Sequence, residues 1–183
     1  MFLGEGMADT LRLAVNPQLR LGSAGGAEFR FTPPQGTPQT RENLGGMEVT
    51  TYTLHPDTSA ADLRFLKQAV DEGRKCTPSA TSYCVGAVVV TADGRIFAGH
   101  THETSPTHHA EQEAIAKALA AGAALRGAAM YSSMEPCSQR ASEPESCTQL
   151  LLKYGFAHAV FALYEPGCFV CCRGALTLRE AGV

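Results

Sequence analysis

From residue 59 onward, apolar residues alternate between two spacings. Leu63, Leu66, Ala69 and Val70 recur at helical intervals behind Ser59 and Asp62, which resemble a capping box, and predict a helix over 60–75. VGAVVVT (85–91) and RIFAGHTH (95–102), separated by Ala92-Asp93-Gly94, predict the two strands of a hairpin. HAEQEAIAKALAAG (109–122) is rich in strong helix formers and closes on a glycine suited to a C-cap. A strand is expected over 128–136, a helix over 146–155, a strand over 158–166 and a last helix over 172–182. Strands that alternate with helices of about ten residues imply a layered α/β domain with crossover connections.

Before residue 47 the texture changes. Residues 1–46 are rich in Gly, Pro, Thr and Gln (GSAGGAEF, FTPPQGTPQT, ENLGG), a composition that buries little, and are read as a flexible or weakly ordered extension. MEVTTYTL (47–54) opens the strand-like sequence, so the folded domain is expected over 47–183. A chain of 183 residues suits one core. It holds no apolar run near the ~20 residues that cross a bilayer, so no membrane role is expected.

Charge narrows the partners. Fifteen Lys and Arg against 18 Asp and Glu give a formal net charge of -3, without the basic face of a nucleic-acid binder. A small-molecule substrate is expected instead. The first twenty residues lack the charged and apolar regions of a secretory signal, and seven cysteines, an odd number, do not suggest a disulfide framework. Both point to the cytoplasm.

Three pieces carry chemistry: His109-Ala110-Glu111 at the start of a helix, Pro136-Cys137 at the end of a strand, and Cys147 at the start of the next helix. One imidazole and two thiolates are three zinc ligands, which leave a fourth tetrahedral position for water, the catalytic arrangement. The water's proton needs an acceptor, and Glu111, two residues past His109, is the candidate catalytic acid and base. H-x-E followed by P-C-x-x-C is the signature of zinc deaminases. Here nine residues, not two, separate Cys137 from Cys147.

That stretched loop, MEPCSQRASEPESC, together with GRIFAGHTHETSPTHHAEQEAI and YEPGCFVCCRGALTLREAGV, resembles the deaminase domain of the bifunctional riboflavin-biosynthesis deaminase/reductase family, within the cytidine deaminase-like superfamily. The resemblance covers roughly residues 60–183 and rests on Ser138, His102, Glu165-Pro166 and Gly174 at family positions. It implies a three-layer α/β/α fold around a central mixed sheet and zinc at His109, Cys137 and Cys147. It further implies hydrolytic deamination of an aminopyrimidine, phosphoribosylated in that pathway's manner, and a homo-oligomer. Substrate contacts are expected from His102, Ser138, Arg140 and Cys84, with Arg140 and His102 the candidates for a phosphate because arginine offers paired charged donors.

The chain also departs from the family. Ser82-Tyr83-Cys84-Val85-Gly86 stands where the family has a pyrimidine-binding loop with Pro and Asn, the intercysteine loop is one residue longer, and the family's fifth strand and reductase domain would follow Val183. These departures keep open a cytidine-type nucleoside or nucleotide, or a specialised-metabolite heterocycle, as substrate. A non-catalytic zinc-stabilised partner protein is the alternative of another class. Cys168, Cys171 and Cys172 are read as packed or surface thiols and Glu113 as a solvated helix residue.

Overall fold

A computed structural model describes residues 10–14, 39–44, 47–53, 58–164 and 173–183, in two compact units, Met1–Thr58 and Ser59–Val183. The first unit carries strands β1 (Thr10–Ala14), β2 (Gln39–Leu44) and β3 (Met47–Thr53) in an antiparallel sheet of order β1-β3-β2. Two of these strands fall within the expected 1–46 extension. β3, expected to open the main domain, pairs with them instead, through Leu11↔Tyr52 and Thr40↔Thr51 among others. The local signal was present, since only Gly45 and Gly46 separate β2 from β3, a hairpin spacing.

The second unit follows the predicted element order. It contains α1 (Ala60–Gly73), β4 (Gly86–Val90), β5 (Ile96–His100), α2 (Ala110–Ala120), β6 (Ala129–Ser132), α3 (Cys147–Tyr154), β7 (His158–Phe161) and α4 (Gly174–Glu180). The sheet runs β5-β4-β6-β7; β4 is antiparallel to β5 and β6, and β6 is parallel to β7, so the sheet is mixed. Strand alternation builds two layers of contact. Val88 and Tyr131 pack with Phe65 and Ala69 of α1 on one face. On the other, Ala87, Val89 and Met130 pack with Ala110, Ala114, Ile115 and Ala118 of α2, Leu150 and Leu151 of α3 and Leu178 of α4. The result is the expected α/β/α arrangement.

Small residues let the layers close. A Cβ on Gly99 of β5 would lie 2.6 Å from the backbone N of Ala114 and 2.6 Å from Glu113 Cβ, so the absent side chain is what allows α2 to seat on the hairpin. The box at Ser59 is real: Asp62 N donates to Ser59 Oγ (3.1 Å), and Ser59 N donates to Asp62 Oδ2 (2.8 Å). Strand β5 stops at His100, two residues before its expected end. His102 instead lies in the following turn with φ 60°, the one non-glycine residue with positive φ among the described residues. No helix among the described residues is long and apolar enough to cross a membrane.

Candidate metal centre

The turn after β5, the segment leaving β6 and the first turn of α3 bring three donor atoms together. His109, Cys137 and Cys147 each offer one ligand atom, all within 4.8 Å of one another. His109 Nδ1 is 3.5 Å from Cys137 Sγ and 3.6 Å from Cys147 Sγ. A tetrahedral ion with bonds of about 2.0–2.1 Å to nitrogen and about 2.3 Å to sulfur separates its N and S ligands by roughly 3.5 Å. The donor set therefore fits zinc in both chemistry and spacing.

The surrounding backbone holds each ligand in place. At the N-terminus of α3, Cys147 N donates to Cys137 Sγ (3.4 Å) and Thr148 N to Cys137 O (3.1 Å), so one free helix donor meets the sulfur and the next meets the carbonyl of the same residue. Thr148 Oγ1 donates to Pro136 O (3.0 Å) and ties the same turn. His109 is the N-cap of α2, and its N–H donates to Gln112 Oε1 (3.0 Å). From the far side, Gly174 starts α4 against this turn. A Cβ on Gly174 would come within 2.0 Å of Pro136 O, and Ala175 N donates to Glu135 Oε1 (2.8 Å).

Electrostatics divides the two thiols. Hydrogen bonds to Cys147 and His109 outweigh burial and hold Cys137 down to about 4, the thiolate side of neutrality. Cys147 is pushed well above the ordinary thiol value, by Cys137, by burial and by Glu111. Glu111, 3 % exposed, has its carboxyl raised by burial, and its Oε2 accepts from Cys147 Sγ at 3.4 Å. Its Oε1 accepts from Ser132 Oγ at 3.1 Å. Sequence reading passed over Ser132, since a serine inside a strand carries no positional signal of its own.

The expected substrate residues have defined surroundings. Arg140 Nη1 donates to Gln112 Oε1 and Nη2 to Thr107 O and, at 3.3 Å, to Ser142 Oγ; its Nε is buried without a partner. Glu143 Oε1 accepts from Thr107 Oγ1 (2.6 Å), so Arg140 and Glu143 together lash the intercysteine loop to the turn before His109. Ser138 Oγ accepts from Arg173 N (3.0 Å) at the start of α4. Cys84 is exposed beside β4, and burial together with the Cys84 thiol pushes Cys76 up to about 12. Cys168, Cys171 and Cys172, and Glu165-Pro166, lie outside the described residues.

Glu113 is a correction. Expected in solvent, it is 1 % exposed and accepts from Thr104 N and Thr104 Oγ1, both at 2.9 Å, and from His108 Nδ1 at 3.2 Å. It shares the inward face of α2 with Ala110 and Ala114, and the 101–108 turn supplies the donors that satisfy it. A second group of candidate ligands, Glu72, His100 and Glu103, is already an ion-pair network, with Lys75 on Glu72 (2.7 Å) and Lys117 on Glu103 (2.6 Å).

Comparison with known proteins places this geometry. Residues 59–163 match the family model described as the cytidine and deoxycytidylate deaminase zinc-binding region, and the chain belongs to that family. It is 40% identical over 121 residues to the diaminohydroxyphosphoribosylamino-pyrimidine deaminase of Schizosaccharomyces pombe, covering 65% of this chain and 30% of that protein. It is also similar to the crystal structure of a diaminohydroxyphosphoribosylaminopyrimidine deaminase/5-amino-6-(5-phosphoribosylamino)uracil reductase from Thermotoga maritima. There the TM-score is 0.58 and the identity 31%, over 67% of this chain and 34% of that one. The dCMP deaminase of cyanophage S-TIM5 shares the fold at TM-score 0.53 and 20% identity, over 71% of this chain and 96% of that one. The chain thus spans about a third of the length of the curated relatives it matches.

Proposed function

We propose that this chain is a zinc-dependent hydrolytic deaminase acting on a small aminopyrimidine of the phosphoribosylamino class named in its relatives. The observation that carries the reading is the convergence of His109, Cys137 and Cys147 with a buried carboxylate, Glu111, whose Oε2 faces one of the ligand sulfurs. Bound by these three residues, zinc would supply the Lewis acidity that lets water act as a nucleophile near neutral pH. Glu111 takes a proton from that water and delivers one to the departing amine. The amine-bearing carbon exchanges its C–N bond for C=O, one water is consumed, and ammonia leaves. Burial raises the Glu111 carboxyl, the direction that makes it the better proton acceptor.

The surroundings of Arg140 favour a bracing role. Its fork is engaged by Gln112 and Thr107, so it holds the intercysteine loop over the site, and a phosphate would have to compete for those donors. A cytidine-type substrate is the second reading, favoured by the absence of Asn from Ser82–Gly86. The intact Glu111 weighs against a non-catalytic partner protein. A cytoplasmic homo-oligomer is consistent with the family, and light scattering tests the assembly.

The deciding experiment is ammonia release from a panel of phosphorylated and dephosphorylated ribosylaminopyrimidines, cytidine and deoxycytidylate. Turnover of the ribosylaminopyrimidines is expected. Arg140→Ala is expected to impair both phosphorylation states alike if it braces the loop. A KM increase confined to the phosphorylated form would make it the phosphate contact instead.

A further inference from the structure

A carboxylate that moves protons must keep one oxygen on the reacting side, and its terminal torsion is otherwise loosely held. In Glu111, Oε2 lies against Cys147 Sγ at 3.4 Å, while Oε1 is engaged by Ser132 Oγ at 3.1 Å. Ser132 is held within the sheet. It pairs with Ala87 of β4 and Phe161 of β7, its carbonyl accepts from Ala162 N (3.1 Å), and none of it is exposed.

The direction of the bond follows from counting protons. A hydroxyl has one proton and two lone pairs. Met134 N donates to Ser132 Oγ at 3.4 Å, which occupies a lone pair and leaves the proton for Glu111 Oε1. Packing alone does not call for this hydroxyl. Its neighbours on the α2 face of the sheet, Ala87, Val89 and Met130, are apolar, and the polar partners of the hydroxyl are Met134 N and Glu111 Oε1.

We infer that Ser132 is a positioning residue, which donates its hydroxyl to Oε1 of Glu111 and so holds Oε2 toward the His109–Cys137–Cys147 cluster. The inference rests on the reading of Glu111 as the proton shuttle.

The test uses the zinc-loaded full chain and the aminopyrimidine that the wild-type protein turns over fastest. Ser132→Ala should keep its zinc, its melting temperature within a few degrees and its KM. Its kcat should fall by about ten- to a hundredfold, the range for losing a hydrogen bond to a charged group. Ser132→Thr, which retains the hydroxyl, should recover most of that loss. In a Glu111→Gln background Ser132→Ala should cost nothing more, because residues that act through one another are not additive. A crystal structure of the zinc-loaded Ser132→Ala protein should show the Glu111 carboxylate in more than one orientation, a readout independent of turnover. Wild-type kcat in Ser132→Ala, or the same fold-loss in the Glu111→Gln background, would overturn the inference. If Ser132→Thr does not fold, the alanine variant and the double mutant still decide. Wild-type activity in Glu111→Gln would remove the shuttle reading and this inference together, whereas an inactive Glu111→Gln beside a fully active Ser132→Ala removes the inference alone.

Discussion

Cys137 and Cys147 differ in their electrostatic surroundings. Cys137 is held below the ordinary thiol value and receives the first N–H of α3, whereas Cys147, beside Cys137 and Glu111 and fully buried, is pushed well above it. Cys137→Ala or Cys147→Ala is expected to purify with little or no zinc by elemental analysis, against about one per chain in the wild type, because loss of one of three ligands collapses such a site. Glu111→Gln should keep its zinc and fold and lose turnover by ~10²- to 10⁴-fold, the usual share of general acid-base catalysis. These four residues were legible in the sequence because each stands at a junction between elements, where a motif's spacing fixes geometry. Ser132 and Glu113 were not. Their roles depend on partners 21 residues away for Ser132 and 9 for Thr104 on Glu113, which local spacing does not reveal.

The elements around the site are set by small residues and caps. Gly174 lets α4 touch the Pro136-Cys137 turn, and Gly174→Ala forces a Cβ to within 2.0 Å of Pro136 O, an atom of backbone that cannot swing aside. We expect a loss of about 1–3 kcal/mol, the usual cost of overpacking, in a denaturant titration, together with weaker zinc retention. Asp62 anchors α1 in a different way. Burial raises its carboxyl, but bonds from Ser59 and Tyr131, with His158 nearby, outweigh this and hold it below its ordinary value. A carboxyl depressed in the fold stabilises above its unfolded pKa and loses that contribution as pH falls through the folded one. Asp62→Asn should therefore lower the melting temperature at pH 7, and its gap to the wild type should close below about pH 4. The helices and strands of this unit were readable because the periods of 3.6 and 2 are strong there. Their ends were less so. RIFAGHTH continues the strand pattern through His102, but the chain turns at Thr101 to bring His109 round to Cys137, and tertiary demand overrides the local pattern.

At the scale of the whole molecule the chain divides at Thr58–Ser59, and the strand-like 47–53 pairs within the first unit. Composition concealed this, because Gly- and Pro-rich sequence reads as unstructured even where short strands pair across it. Removal of residues 1–57, which keeps the Ser59 cap, should leave zinc content and the melting temperature of the second unit nearly unchanged in calorimetry; a drop of many degrees would mean that the first unit supports the second. In the full chain, zinc and Glu111 together are expected to release ammonia. This is tested most directly by measuring ammonia from a phosphoribosylaminopyrimidine with the zinc-loaded wild type, the chelator-stripped protein, the stripped protein given zinc again, and zinc-loaded Glu111→Gln. One ammonia per substrate is expected from the first and third and almost none from the others. Undiminished release from the stripped protein or from Glu111→Gln, or no release from any substrate in the panel by fully zinc-loaded wild type, would contradict it.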